Sequence, residues 1–140
     1  MVDTLSSAER SERMSRIRGK DTKPELWVRR YLHGQGFRFP LHRNDLPGRP
    51  DLVLPKYGAV VFVQGCFWHA HSCQKGRIPE TRGDFWRSKF EGNKRRDARN
   101  FRMLRRAGWH VFCIWECELT TLAKRASALS RLERKIRRIA

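Results

Sequence analysis

The chain has 140 residues, enough for one domain with a core of its own, since a chain of this size buries roughly two-thirds of the surface that its unfolded form exposes. Its 31 lysines and arginines against 14 acidic residues leave a net charge of +17, far beyond what solubility needs and suited to a polyanion, with nucleic acid the default. No apolar run approaches the roughly 20 residues of a membrane span and the N-terminus has no apolar signal core, so the chain reads as cytosolic and soluble, and its cysteines as metal ligands or free thiols rather than disulfides.

Ser6 and Glu9 stand at capping-box spacing and predict a helix over 6–18 that carries Met14 and Ile17 among charged side chains. Its apolar face is too thin for a core helix. Residues 1–20 therefore read either as a solvated basic arm or as one that orders on DNA and presses Met14 and Ile17 into a groove. A second helix starts with Thr22 as cap and Pro24 in the first turn, buries Trp27, Val28, Tyr31 and Leu32, and stops at Gly34. Glu25 is placed to complete a capping box with Thr22, and the residue pattern favours that over a catalytic role.

Phe37, Phe39 and Leu41 alternate as a short strand, and 42–47 form a polar turn. Asp51 follows Pro50 directly and opens an apolar strand to Leu54, where a carboxylate has to be buried with a partner or aimed at positive charge. A tight turn at Pro55–Gly58 leads to an apolar strand, Ala59 to Val63, and the resulting hairpin sets Asp51 beside Val63 and Gln64. The chain then packs two thiols, two imidazoles and two large aromatic rings into the eight residues from Cys66 to Cys73. After a loop with Gly76, Pro79 and Gly83, Asp84 is expected to cap a long helix to about Ala107. Phe85, Phe90, Met103 and Leu104 are its apolar positions, and Lys89, Lys94, Arg95, Arg96, Arg99, Arg102, Arg105 and Arg106 make the rest strongly basic, which reads either as a solvated face or, favoured by the clustering, as a phosphate-facing surface. Asp97 lies within this run, where an arginine one turn away can pair with it. Trp109 to Trp115 read as a buried strand, followed by Glu116-Cys117-Glu118 and a final helix from about Thr121 with Leu122, Ala126, Leu129, Leu132 and Ile136 at helical spacing. The order helix, helix, three strands, helix, strand, helix implies a single α/β domain over 1–140, built on a small mixed sheet flanked by helices.

Cys66, His71 and Cys73 are close in sequence, though Cys-x4-His-x-Cys is not a zinc-finger spacing. Cys117 is the best fourth donor, and Cys113 reads as an inert core thiol. His69 and His71 both qualify chemically, and alternation puts 69, 71 and 73 on one face, so spacing leaves open which histidine binds metal. Phe67 and Trp68, with Trp86, suit stacking on bases or wedging between them, and suit equally well covering the loop and packing on the sheet.

Pro-Gly-Arg-Pro-Asp at 47–51, Phe62-Val63-Gln64-Gly65-Cys66-Phe67-Trp68-His69 with His71 and Cys73, Thr81-Arg82 with Phe85-Trp86, Asn93 with Arg96-Asp97, and Gly108-Trp109 with Trp115-Glu116-Cys117 closely resemble the very-short-patch repair (Vsr) mismatch endonucleases. The resemblance covers about residues 11–119. It implies a restriction-endonuclease-like core with a structural zinc site, and an enzyme that nicks duplex DNA 5′ of the thymine in T·G mismatches left by 5-methylcytosine deamination. By that resemblance Asp51 binds a catalytic magnesium together with the main-chain carbonyl of Val63. His69 works on the water or scissile phosphate, Glu25 joins the active-site water network, and Asp97 is a supporting carboxylate. Cys66, His71, Cys73 and Cys117 correspond to the four zinc ligands, and Phe67, Trp68 and Trp86 to the aromatics that enter the base stack. Lys89 and Asn93 are candidates for contacts to flanking bases. A monomer in the bacterial cytoplasm, associated with the nucleoid and with other mismatch-repair proteins as partners, is also implied. One departure is Gln64, where many members carry histidine: an amide cannot take up a proton, so Gln64 is not counted as catalytic. The competing reading, a zinc-braced DNA-binding module without nuclease activity, explains the charge, thiols and aromatics but not Asp51 at a strand start beside His69.

Overall fold

The computed structural model describes residues 22–40, 43–66 and 82–139. The expected N-terminal arm with Met14 and Ile17, and the loop with Phe67, Trp68, His69, His71 and Cys73, lie outside the described residues. Helix α1 (Lys23–Gly34) has Pro24 in its first turn, where the missing N–H costs nothing, and buries Val28 and Leu32. Strands β1 (Leu52–Leu54) and β2 (Ala59–Gln64) form the expected antiparallel hairpin, with Leu52 opposite Val61 and Leu54 opposite Ala59. A 3-10 turn at Pro55–Tyr57 joins them and is closed by Gly58 in the left-handed region, φ 62°. Helix α2 (Gly83–Arg106) lies in the crossover that a parallel neighbour requires, and β3 (His110–Trp115) then runs parallel to β2, with Gln64 opposite Trp115. Helix α3 (Leu122–Arg137) follows a 3-10 turn at Glu116–Leu119, and the Thr121 Oγ1 caps it by accepting the Lys124 N–H at 3.1 Å.

Strand alternation sorts the sheet into two faces. Leu52, Leu54, Ala59, Val61 and Ile114 pack with Val28 and Leu32 of α1 and with Leu129, Leu132 and Ile136 of α3. Val53, Val60 and Phe62 point the other way, onto Leu104 of α2 and the half-buried Phe101 and Trp109. A mixed sheet with helices on both faces fits the restriction-endonuclease-like α/β fold.

Several expected details differ. Among the described residues the sheet has three strands, and Phe37 to Pro40 take no strand pairing. Phe37 is buried instead, with its ring 5.3 Å from that of Tyr57 and the Arg137 guanidinium 4.6 Å above it, so its apolarity serves helix packing rather than a ladder. Asp84 is not the cap of α2, because the helix begins one residue earlier; its exposed carboxylate lies 3.5 Å from Arg87. Leu122 is 79% exposed, since the inward stripe of α3 begins with Ala128.

The approach to Asp51 is a constrained turn. Pro47 and Gly48 occupy its middle, the Arg49 N–H donates to the Leu46 carbonyl at 3.1 Å, and Gly48 has φ 76°. A Cβ on Gly48 would come within 3.1–3.2 Å of Asn100 and the Phe62 ring. Gly48→Ala is therefore expected to destabilise the protein by about 2 kcal/mol, from left-handed strain and crowding together. Denaturant unfolding checks this, and an unchanged midpoint would contradict it.

Candidate active site

Asp51 sits where the chain enters β1, and its Oδ2 accepts the backbone N–H of Val63 at 2.6 Å across the hairpin. Glu25, one turn into α1, is 5% exposed and faces Asp51 closely enough for a hydrogen bond between the two carboxyl groups. Arg29, one turn further along α1, donates from Nη2 to Glu25 Oε2 at 3.2 Å. Two carboxyl groups crowded together out of water disfavour double ionisation. Burial first, then the negative field of Glu25, push the Asp51 carboxyl up to about 7, against the Val63 N–H and the Arg29 guanidinium, which both lower it.

This arrangement overturns the capping reading of Glu25. Thr22 makes no side-chain cap hydrogen bond, and the Glu25 side chain turns into the interior toward Arg29 and Asp51. Glu25 stands three residues after Thr22, a position that suits a capping partner and an inward-facing first-turn side chain alike, so sequence position cannot distinguish the two. Arg29 was not singled out from sequence; its i,i+4 spacing from Glu25 is the signal that points to it. The donor chemistry here, two hard carboxylate groups in contact, fits a small divalent cation, which would take the place of the shared proton.

Along the same end of the sheet, on the face that carries α2, lies a second polar group. Gln64 is 4% exposed and its Nε2 lies 4.0 Å from Cys113 Sγ. Cys113 was expected as a core thiol but is exposed on β3. Its residue surface lies open while its sulfur is crowded: burial pushes the thiol up to about 11, and the negative fields of Asp97 and Asp51 add to this, against Arg105. Both carboxylates therefore act on one sulfur. Asn93 is 6% exposed and accepts from Arg96 Nη2 at 3.1 Å, whereas Lys89 is exposed. Trp86 is half-buried, its ring 5.1 Å from Phe85 and 5.7 Å from Phe90.

Cys66 ends the turn after β2 fully buried, and its Sγ accepts the Cys117 N–H at 3.4 Å. Two of the four expected zinc ligands thus come from the segments that follow two strands adjacent in the sheet. Among the described residues no group of three or more metal-capable side chains gathers, and the other two expected ligands, His71 and Cys73, lie outside them, as does His69.

The raised Asp51 carboxyl carries a sign. Between pH 3.8 and about 7 the folded protein holds a proton that the unfolded chain has lost, so metal-free stability falls as pH rises through that window. In chelator, the melting temperature of the wild type is expected to fall across it. Asp51→Asn removes the fall and is more stable than the wild type at pH 8 by about 2 kcal/mol. Parallel pH profiles for the two proteins would refute the assignment.

The DNA mismatch endonuclease Vsr family profile matches residues 2–75. A type II nicking enzyme of Xanthomonas oryzae pv. oryzae, V.XorIIP, is 48% identical over 122 residues, which cover 87% of this chain and 90% of that protein. A second, V.NmeAIP of Neisseria meningitidis, is 44% identical over 137 residues and 98% of both chains. The DNA mismatch endonuclease Vsr of Escherichia coli is 42% identical over 119 residues, 85% of this chain and 76% of that one. With its profile match, these identities and a buried Glu25–Asp51 pair at the strand entry, the chain belongs to the Vsr family of DNA mismatch endonucleases.

Proposed function

We propose that this protein nicks duplex DNA on the 5′ side of the thymine in T·G mismatches by hydrolysing one phosphodiester bond in a Mg²⁺-dependent reaction. The observation that carries the reading is the Glu25–Asp51 pair, buried and held by the Val63 N–H and the Arg29 guanidinium. A non-enzymatic DNA-binding module has no use for two carboxylates that repel both each other and phosphate.

Asp51, with the main-chain carbonyl of Val63, would hold magnesium. When bound, the ion supplies Lewis-acid stabilisation of the charge that develops on the phosphorus and leaving oxygens. Glu25 orients water at this position, and Arg29 holds Glu25 in place. His69, ordinarily titrating near neutrality, takes up or positions the proton of the attacking water, and Asp97 supports the site from α2. Cys66, His71, Cys73 and Cys117 would hold zinc, a closed four-ligand site that braces the loop carrying His69. Phe67, Trp68 and Trp86 enter the stack beside the mismatch, and a T·G wobble, which unstacks more readily than a matched pair, lowers the cost of that entry. The exposed cations of α2 and the N-terminal arm, with Met14 and Ile17, track the flanking duplex, while Lys89 and Asn93 stand nearest its bases. The protein works as a monomer in the bacterial cytoplasm at the nucleoid, alongside other mismatch-repair proteins.

Incubating T·G and matched T·A duplexes with protein and Mg²⁺ tests the reading. A Mg²⁺-dependent nick at T·G is expected; no nick, or equal cutting of both duplexes, sinks it. Asp51→Ala should keep DNA binding and lose nicking by at least roughly 10³-fold. Elemental analysis should give about one zinc per chain, and Cys117→Ala should lower both zinc content and melting temperature. A stable, zinc-free protein would count against the brace.

A further inference from the structure

We propose that Arg49 contacts the substrate, its guanidinium holding the non-bridging oxygens of the phosphodiester beside Asp51, and that the chain keeps it in a strained backbone conformation for that purpose. Among the described residues only Arg49 and Arg82 combine a side chain with positive φ, and Arg49 has φ 50°. A left-handed conformation is disfavoured for any residue with a Cβ, and Pro50, next in the chain, restricts Arg49 further. Glycine would take this conformation without strain, so the fold gains nothing from an arginine here.

The segment is pinned on both sides. Gly48 is wedged against Asn100 and Phe62, the Arg49 N–H is held by the Leu46 carbonyl at 3.1 Å, Pro50 is buried, and Asp51 is tied to Val63. Two residues of chain span at most about 7 Å, within reach of an arginine side chain, so a phosphate at Asp51 lies within range of the Arg49 guanidinium. That guanidinium belongs to an exposed residue. The ion pairs recorded among the described residues engage Arg29, Arg43, Arg87, Arg131 and Arg137, and Arg49 is in none of them. Its chemistry answers a local problem: Glu25 and Asp51 repel the phosphate they have to act on, and a guanidinium fork beside them binds two phosphate oxygens at once and offsets that repulsion.

The proposal rests on the nuclease reading and is separable from it. Single-turnover nicking of a T·G duplex with Mg²⁺, duplex binding in chelator, and thermal unfolding are measured for the full-length wild type, Arg49→Gly, Arg49→Lys and Lys56→Ala. Lys56 is an exposed cation at the far end of the hairpin and controls for lost charge. Arg49→Gly should nick at least about 100-fold more slowly while melting no lower than the wild type and binding within about tenfold. Arg49→Lys should recover part of the rate, and Lys56→Ala should keep it. Nicking by Arg49→Gly within about threefold of the wild type overturns the proposal, as does a rate loss matched by an equal loss of affinity or by a lowered melting temperature. A wild type that binds but does not nick removes the nuclease reading and this role together; a wild type and Arg49→Gly that nick alike remove only the role.

Discussion

The hydrogen bond from the Val63 N–H to Asp51 Oδ2, 2.6 Å long, is the constraint on which the site depends. It joins the entry of β1 to the middle strand, so the position of the carboxylate is set by the hairpin register rather than by a loop. Val63 is in turn fixed by its parallel neighbour Ile114 on β3. Glu25 reaches the same point from α1, whose Val28 and Leu32 are locked onto Leu52, Leu54 and Val61. The two carboxyl groups thus have no common flexible element through which they could separate to relieve their repulsion. A site built this way is rigid before any ligand arrives, which is what preorganised electrostatic catalysis requires.

Charge is distributed by the same logic. The cations of α2 are exposed, and only a few apolar residues, chiefly Phe90 and Leu104, hold this helix down. Like charges one turn apart weaken a helix by a few tenths of a kcal/mol per pair. The inward contacts have to outweigh that repulsion, and a bound phosphate backbone removes it. The acidic pair Glu25 and Asp51 stands at the entry to β1.

How much of this the sequence showed depended on whether the signal was periodic or three-dimensional. The hairpin, the parallel strand and all three described helices follow from apolar spacing and from Pro24, Gly58, Gly108 and Thr121 at their boundaries. Asp51 beside Val63 followed from counting along a four-residue turn. The failures share a cause. Phe37 and Phe39 alternate like a strand, but Phe37 is claimed by Tyr57 and Arg137 before it could pair. Glu25 has a capping position and a catalytic one within a single turn of helix, and only its burial against Asp51 separates them. Cys113 lies among apolar residues in a strand, yet is exposed because β3 is an edge strand among the described residues. The assignment of His69 to catalysis and His71 to zinc came from family resemblance, since alternation puts both on one face.

The groups that weaken the fold, a crowded carboxyl pair and a left-handed arginine, stand near the entry to β1. The compensation lies at the other end of α1. Tyr31, about 9 Å along the helix from Glu25, donates its hydroxyl to Glu133 Oε1 at 2.6 Å. That hydrogen bond, followed by one from Arg137, holds the Glu133 carboxyl below its ordinary range. Arg137 donates to Glu133 at 2.9 Å and to the Gln35 carbonyl, also at 2.9 Å, which ties the end of α3 to the end of α1. Arg125 lies 3.6 Å over the Trp27 ring and completes the strap between the two helices. With α1 clamped to α3 along its length, Glu25 cannot relax away from Asp51 by a shift of the helix. The α1–α3 interface therefore holds Glu25 against Asp51 despite the mutual repulsion of their carboxyl groups.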